Sequence, residues 1–520
     1  MKIYRIFAIA AAAAVLASCG DQFLTAHSTV QGEAGGEATE GAILSYLASA
    51  YQPLTMDTYA NYNYNPVLLM SDLRSDDLYK GGGDASDQSW MYHLSLFNIP
   101  QAESPSGIWS LYYTGIARAN NTIMACDNAV GFDSDVAQRK LAGYKAEALF
   151  LRAYYTHILW KYFGNIPFFR QPLEYPFMAV QMTKDGVYAE IIADIADAET
   201  AAAAAVEYFP MYNNNDAANC ARANLAALYM LKARVVMYQK DAQRYNEVAS
   251  DMASIILSGS YALYPDFDAM WNDENEFCCE SIFESNQSAD GQRDWGSAWT
   301  GLGSNLPAYI SPSELSDPDG VYGGSGWGFG PVRQAAYDMY ENGDVRRDAS
   351  INTWPAGSYS PRFQDTGHFQ RKYAARLSYR APVGTVDLNY PNNLRLFRYA
   401  ETLLNYAELV GVLGASNAGV NPQDCMDAVR ARAGLGSIAV NQDNIESERR
   451  KEFLGEGMRF WDLIRWGKAA ATLTENDAAF QSTRTFRAGK DELLPIPQSE
   501  MSRTEGTGEY ELKQNPGYND

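Results

Sequence analysis

Apolar residues recur at three- and four-residue intervals over long stretches of this chain, separated by short polar breaks. The spacing predicts helices near residues 108–128, 137–162, 185–206, 218–240 and 242–258, because such intervals put side chains on one helical face. The pattern begins around Ala42 with Ile43, Leu47 and Tyr51, and it resumes from Leu394 to about Leu473. Within 137–162, the residues Ala146, Leu149, Ala153, Tyr154, His157 and Trp160 are mostly spaced this way, and Ile166-Pro167 lies beyond the break. The most strongly patterned stretch is Glu448 to Gly467, in which Phe453, Met458, Trp461 and Ile464 share an apolar stripe. Glu448, Glu452 and Glu456 stand four apart there, and Arg459, Asp462 and Arg465 stand three apart. Those are the separations at which helical side chains meet. Gly455 and Gly457 bracket Glu456 and mark a place for a kink or a close approach.

Residues 260–392 break the helical pattern. Ten glycines fall between Gly291 and Gly330, and half of the ten tryptophans lie in this region: Trp271, Trp295, Trp299, Trp327 and Trp354. An irregular, loop-rich insertion is expected there, with Arg371-Lys-Tyr373 in a short strand. Paired helices with small residues where they cross point to a mainly α, tetratricopeptide-like scaffold, although the roughly 34-residue consensus of that repeat is absent. The expected organisation is a signal segment at 1–18, a tether at 19–38, the helical scaffold at 39–259 and 393–520, and the insertion at 260–392.

The acids of the 448–467 stretch have two readings. As catalytic groups, Glu452, Glu456 or Asp462 would need a raised pKa near neutral pH. Each has an arginine within one helical turn, which lowers a carboxyl pKa instead. Paired ions holding helices together are therefore the expectation. The stretch also resembles the C-terminal signature of the SusD/RagB family, the outer-membrane glycan-binding lipoproteins of Bacteroidetes. Arg398-Tyr-Ala-Glu-Thr-Leu-Leu-Asn-Tyr-Ala-Glu408, Val429-Arg-Ala-Arg-Ala-Gly-Leu435, Leu494-Pro-Ile-Pro497 and Gln514-Asn-Pro-Gly-Tyr518 agree with it in order and spacing, covering most of residues 395–520. The resemblance implies a scaffold of helix pairs, a SusC-like TonB-dependent outer-membrane barrel as partner, a lid-like position over that barrel, and no catalysis.

The N-terminus agrees independently. Lys2 and Arg5 precede an apolar run from Ile6 to Ala17, which ends in Leu16-Ala17-Ser18-Cys19. This is a signal peptide with a lipoprotein-type cleavage site, and Cys19 becomes the acylated first residue. The run is too short to cross a bilayer. Residues 20–38, rich in Gly, Ala and Glu, form the tether. Loss of Lys2 and Arg5 takes the formal charge from −22 to −24. Such a surface repels phosphate backbones, so nucleic acid is not an expected partner. Five cysteines remain besides Cys19, an odd number that argues against a disulfide framework. Adjacent Cys278 and Cys279 are read as small apolar residues rather than a metal or redox pair.

Little else points to chemistry. The four histidines are far apart, and no HExxH, CxxC, GxSxG or phosphate-binding glycine loop is present. Asp72-Leu-Arg-Ser-Asp-Asp77 holds three acids, but its spacing is not a calcium loop, and capping or solvation is the simpler reading. Arg371, Lys372, Arg376 and Arg380 form a basic cluster for which ion pairing is expected over recognition of an acidic ligand. What stands out is aromatic surplus, with 35 Tyr and 10 Trp, more than a core alone uses. Ring faces beside polar groups suit sugars. One stack burying about 50 Å² contributes about 1 kcal/mol, whereas a millimolar affinity needs about 4 kcal/mol, so several rings must act together. The ligand face is placed on residues 285–330, with Trp295, Trp299, Trp327 and Phe329, and with Trp90 and Tyr92 added from the early loop, which opens at Lys80-Gly-Gly-Gly83. The functional expectation is a surface lipoprotein that captures oligo- or polysaccharide for a transporter. The alternatives are a helical glycoside hydrolase, which needs only two suitably spaced carboxylates, and a protein-binding repeat scaffold.

Overall fold

The computed structural model describes residues 36–56, 66–289, 293–295, 301–324, 326–378 and 384–518. Cys19, His27, Trp299 and Arg380 lie outside the described residues, as do the expected signal segment at 1–18 and most of the expected tether at 19–38.

Helices dominate. In chain order the long ones are α1 (Glu40–Tyr51), α2 (Ser106–Asp127), α3 (Asp135–Phe163), α4 (Lys184–Ala203), α5 (Leu225–Gln239) and α6 (Tyr245–Leu257). After the irregular region come α7 (Tyr399–Gly411), α8 (Pro422–Arg432), α9 (Gln442–Glu452) and α10 (Arg459–Trp466). From α2 to α6 each helix packs on its sequence neighbour, and α7 packs on α6, so the C-terminal helices continue the stack begun by the N-terminal ones. This is the tetratricopeptide-like architecture of helix pairs.

Local chemistry sets the boundaries. Ser134, Thr183, Asn224 and Asn441 each accept a backbone N–H two or three residues inside their helices, meeting donors that the first turn leaves unpaired. Pro422 opens α8, where its missing N–H costs nothing. Where α2 crosses α3, a β-carbon on Gly115 would lie 2.4 Å from the Tyr155 ring, so only glycine permits that approach. The helix expected from residue 218 begins at Leu225, because Asn224 caps it and also ties Asn213 and Ile282 through its amide.

Two expectations about the C-terminal third are corrected. Leu394–Arg398 is a strand, not the start of a helix; it pairs antiparallel with Ser281–Ser285 and is buried along most of its length. The 448–467 stretch is two helices, not one. Gly455 and Gly457 take φ values of +80° and +71°, where residues with a β-carbon are strained, and the chain breaks there.

Between α6 and Leu394 the chain forms only short elements, among them the hairpin Ile351–Thr353 with His368–Gln370. Arg371-Lys-Tyr373 lies just beyond that hairpin rather than in a strand: Arg371 N–H still meets Ser350 O, but the chain then turns, with Ala374 N–H donating back to Arg371 O at 3.1 Å. A second core of Leu306, Tyr309, Ile310, Phe329, Trp271 and Tyr373 lies beneath this region.

Candidate functional site

The acids expected to pair do so, mostly across elements, with Asp462–Arg465 a pair along one helix. Glu452 accepts from Arg398 Nη1 at 2.6 Å and Arg346 Nη1 at 3.1 Å, and it also pairs with Arg432. Burial alone would raise its pKa, but Arg432, Arg398 and Arg346 together hold it well below the usual carboxylate range. Glu456 takes Arg398 Nε at 2.7 Å and Lys372 Nζ at 2.6 Å. Glu448 bridges Arg346 and Arg430. Asp462 pairs with Arg449 and Arg465, while Arg459 reaches Asp76 instead. The cations beside Glu452, Glu456 and Asp462 outweigh burial and lower all three pKa values, the opposite of what a general acid needs.

The acids of 72–77 are likewise structural, and neither capping nor solvation describes them. Asp76 and Asp77 pair with Arg450, and Asp72 accepts the Gly457 N–H at 2.9 Å. In the basic cluster, Arg371 pairs with Asp268 and Lys372 with Glu456, whereas Arg376 lies over the Tyr322 ring at 5.3 Å. Glu199, Glu247 and Asp251 could hold a cation, but Lys232 Nζ sits among them at 2.5, 2.8 and 2.6 Å.

The expected ligand face is built from another set of contacts. Trp295 is 41% exposed and stacks on half-buried Trp327, with ring centroids 5.9 Å apart and planes 28° from parallel. Trp327 is fixed from below and behind. Its ring meets Tyr309 edge-on at 4.7 Å and packs against Ala308, Ala375 and Tyr390, while Nε1 donates to Asp387 Oδ2 at 3.3 Å. Burial raises the pKa of Asp387, with the indole hydrogen bond working against it. Beside Trp295, Arg293 is locked by reciprocal bonds with Asn389, its N–H donating to Oδ1 at 2.7 Å and its carbonyl accepting Nδ2 at 2.7 Å. The Arg293 side chain reaches Thr55 O and Gly301 O, so three distant segments meet under this face.

Phe329 is only 2% exposed and packs edge-on against Tyr309 at 5.4 Å. It supports the face from within rather than forming it. Trp90 and Tyr92 lie on a short helix, Ser89–Ser95. Trp90 is half-buried between the two cores and donates its indole N–H to Gln88 Oε1 at 2.9 Å. Tyr92 meets Phe363 edge-on at 5.5 Å. Buried Lys80 joins the two groups, with Nζ 4.9 Å from the Phe329 ring centroid and 5.8 Å from that of Phe363. Burial brings its pKa down to about 8 despite Asp87 and Asp84.

The triple glycine after Lys80 fastens the early loop to the insertion. Gly330 N–H donates to Lys80 O at 3.0 Å, Gly82 N–H to Gly328 O at 2.9 Å, and Phe363 N–H to Gly82 O at 3.0 Å. A β-carbon on Gly81 would lie 2.2 Å from Gly328 O, and φ there is +69°. Sequence reasoning missed Tyr309, Asp387, Asn389 and Lys80. Only the glycine run carried a signal for the last of them.

The structure is a stack of paired helices with Trp295 and Trp327 stacked at its surface. A sequence profile described as the SusD family matches residues 347–518, and one described as starch-binding associating with outer membrane matches residues 45–230. The structure superposes on surface glycan-binding protein A from Bacteroides fluxus with a TM-score of 0.87 and 59% identity, covering 92% of this chain and 100% of that one. Surface glycan-binding protein A from Bacteroides thetaiotaomicron in complex with laminarihexaose gives a TM-score of 0.83 and 37% identity, over 92% and 100%. A laminarin-binding SusD-like protein gives 0.78 and 31%, again over 92% and 100%. The chain belongs to the SusD family.

Proposed function

We propose that this protein is a non-catalytic cell-surface receptor that binds a laminarin-type β-glucan through the Trp295–Trp327 face and delivers it to a SusC-like TonB-dependent transporter. The observation that carries the reading is the stacked indole pair, exposed Trp295 on half-buried Trp327, set in a chain 37% identical to a protein seen with laminarihexaose. Trp327, held by buried partners, and Trp295 stacked on it present an ordered apolar surface at reduced entropic cost. Asp387 and Arg362, whose Nη1 donates to Trp327 O at 3.4 Å, put polar groups beside the rings for sugar hydroxyls. A hydrolase would need two carboxylates about 5–9.5 Å apart across the sugar. Asp387 is committed to an indole N–H, and the acids of α9 and α10 are held by guanidinium groups in the scaffold.

The lipid on Cys19 would keep the protein at the outer membrane, and the barrel partner is what membership of the SusD family leads us to expect. Two measurements test these parts. Affinity electrophoresis through gels containing laminarin should retard the purified protein without releasing reducing sugar; migration equal to that in plain gel would contradict glucan binding. Crosslinking in native membranes followed by mild extraction should recover a large β-barrel with the protein, and recovery of none would contradict delivery to a transporter.

A further inference from the structure

We propose that a second cleft, walled by Tyr322, Tyr337, Asn352, Thr353 and Trp354, binds another stretch of the same neutral polysaccharide. The inference rests on the glucan-binding reading above and adds a site to it. The cleft has a volume of about 500 Å³, inside the range of about 300–1,000 Å³ typical of small-molecule sites. Trp354 is half-buried and meets Tyr322 edge-on at 5.9 Å. Tyr337 is held flat against His368, with ring centroids 4.1 Å apart and planes 12° from parallel. Aromatic surface therefore stands in fixed positions beside amide and hydroxyl groups.

Charge decides the chemical class. Arg371 spends its guanidinium on Asp268 and on Asn352 Oδ1. Arg347 pairs with its neighbour Asp348, and Asp317 accepts the N–H groups of Asp319, Val321 and Tyr322 at 3.0, 2.9 and 2.8 Å. Of the charged groups that line the cleft, only Asp319 lacks such a partner among the described residues, and it is exposed. Arg376 lies behind Tyr322, buried and outside the lining. The lining itself carries three acids and two arginines that are already paired, so it holds out no free cation to an anionic ligand, whereas paired side chains with spare lone pairs and N–H groups suit the hydroxyls of a neutral sugar.

The cleft is not part of the Trp295–Trp327 face. Ala375 packs against Trp327 while Arg376 lies over Tyr322, and residue 376 is extended, bridged to Tyr322. Successive side chains of extended backbone point to opposite sides, so the two sites flank one segment. A polysaccharide that engages both gains avidity that a short oligomer does not.

The test compares laminarin with laminarihexaose on folded single variants. Trp354→Ala should weaken binding of the polymer at least about tenfold and leave hexaose binding within about twofold of the parent, the main face being intact. The Trp295→Ala/Trp327→Ala double variant should keep weak, saturable hexaose binding that further substitution of Trp354 removes. Should Trp354→Ala misfold, Thr353→Ala and Asn352→Ala take its place. Polymer binding by these variants equal to the parent's, or no residual binding in the double variant, would overturn the second site while leaving the first. If the parent bound neither ligand, the underlying glucan reading would fall, and the second site with it.

Discussion

Trp327 and Trp461 have the same side chain in opposite roles. Trp327 lies half-open on Tyr309 and stacks on Trp295, whereas Trp461 is 6% exposed, donates its indole N–H to Ser71 Oγ at 3.0 Å and meets Tyr162 edge-on at 4.9 Å. Trp327→Ala should therefore weaken glucan binding by about 1–3 kcal/mol with a small change in melting temperature. Trp461→Ala should cost about 3–5 kcal/mol of stability. Paired calorimetry and thermal melts distinguish the two outcomes. A titratable case lies close by. Lys161 Nζ sits 4.7 Å over the Trp461 ring beside a cavity of about 40 Å³. Burial, together with repulsion from Arg234, lowers its pKa to about 7. Between about 7 and the ordinary value of 10.5 the unfolded chain holds a proton that the folded one lacks. Stability should thus rise with pH through that window, with the full penalty present below it. Lys161→Met should flatten this slope, and urea titrations between pH 6 and 10, spanning roughly that range, check it. At this scale the glycine and polar neighbours of Trp295 and Trp327 set them apart from the core tryptophans, and the structure leaves Trp295 exposed and Trp327 half-buried. It did not distinguish Phe329, which sits in the same strip but turns inward against Tyr309.

The elements were legible where a local period dictates them. Helices α2, α3, α4 and α6 fall within a few residues of the expected spans because one buried face recurs along each. Leu394–Arg398 was not legible, since it is buried on both faces and so shows no alternation, and its partner Ser281–Ser285 lies far away in sequence. The partners of the acids were hidden for the same reason. Glu452 is neutralised by Arg346, Arg398 and Arg432, none of them on its own helix. Arg398→Ala leaves Glu280, Glu452 and Glu456 short of a cation and should cost about 3–5 kcal/mol. Glucan affinity per folded molecule should not change; an unaltered melt with lost binding would place Arg398 in the site. The Lys80 loop makes a different prediction. Gly81→Ala forces a β-carbon into Gly328 O and a strained φ worth about 1–2 kcal/mol before any clash. It should lower both stability and glucan affinity, because Gly328 carries Trp327 beside it. Unchanged affinity on calorimetry would uncouple the early loop from the face.

At the scale of the molecule, an acidic body with formal charge −22 is built as one stack of helices, and its tryptophan face sits where three distant chain segments converge. The repeat architecture and the family were readable from periodicity and four C-terminal motifs. The second cleft was not, because the 317–322 loop, the Ile351–Thr353 strand and Arg371 meet there only through tertiary contacts. The proposed function depends most on the indole pair, exposed Trp295 stacked on half-buried Trp327, being the glucan platform. The direct measurement is isothermal titration of laminarihexaose into the mature protein and into the Trp295→Ala/Trp327→Ala variant, with melting curves of both. Saturable binding by the parent, cut at least about tenfold (roughly 1.4 kcal/mol) in a variant that melts like the parent, is the predicted result. Hexaose binding of equal strength in both proteins would contradict it.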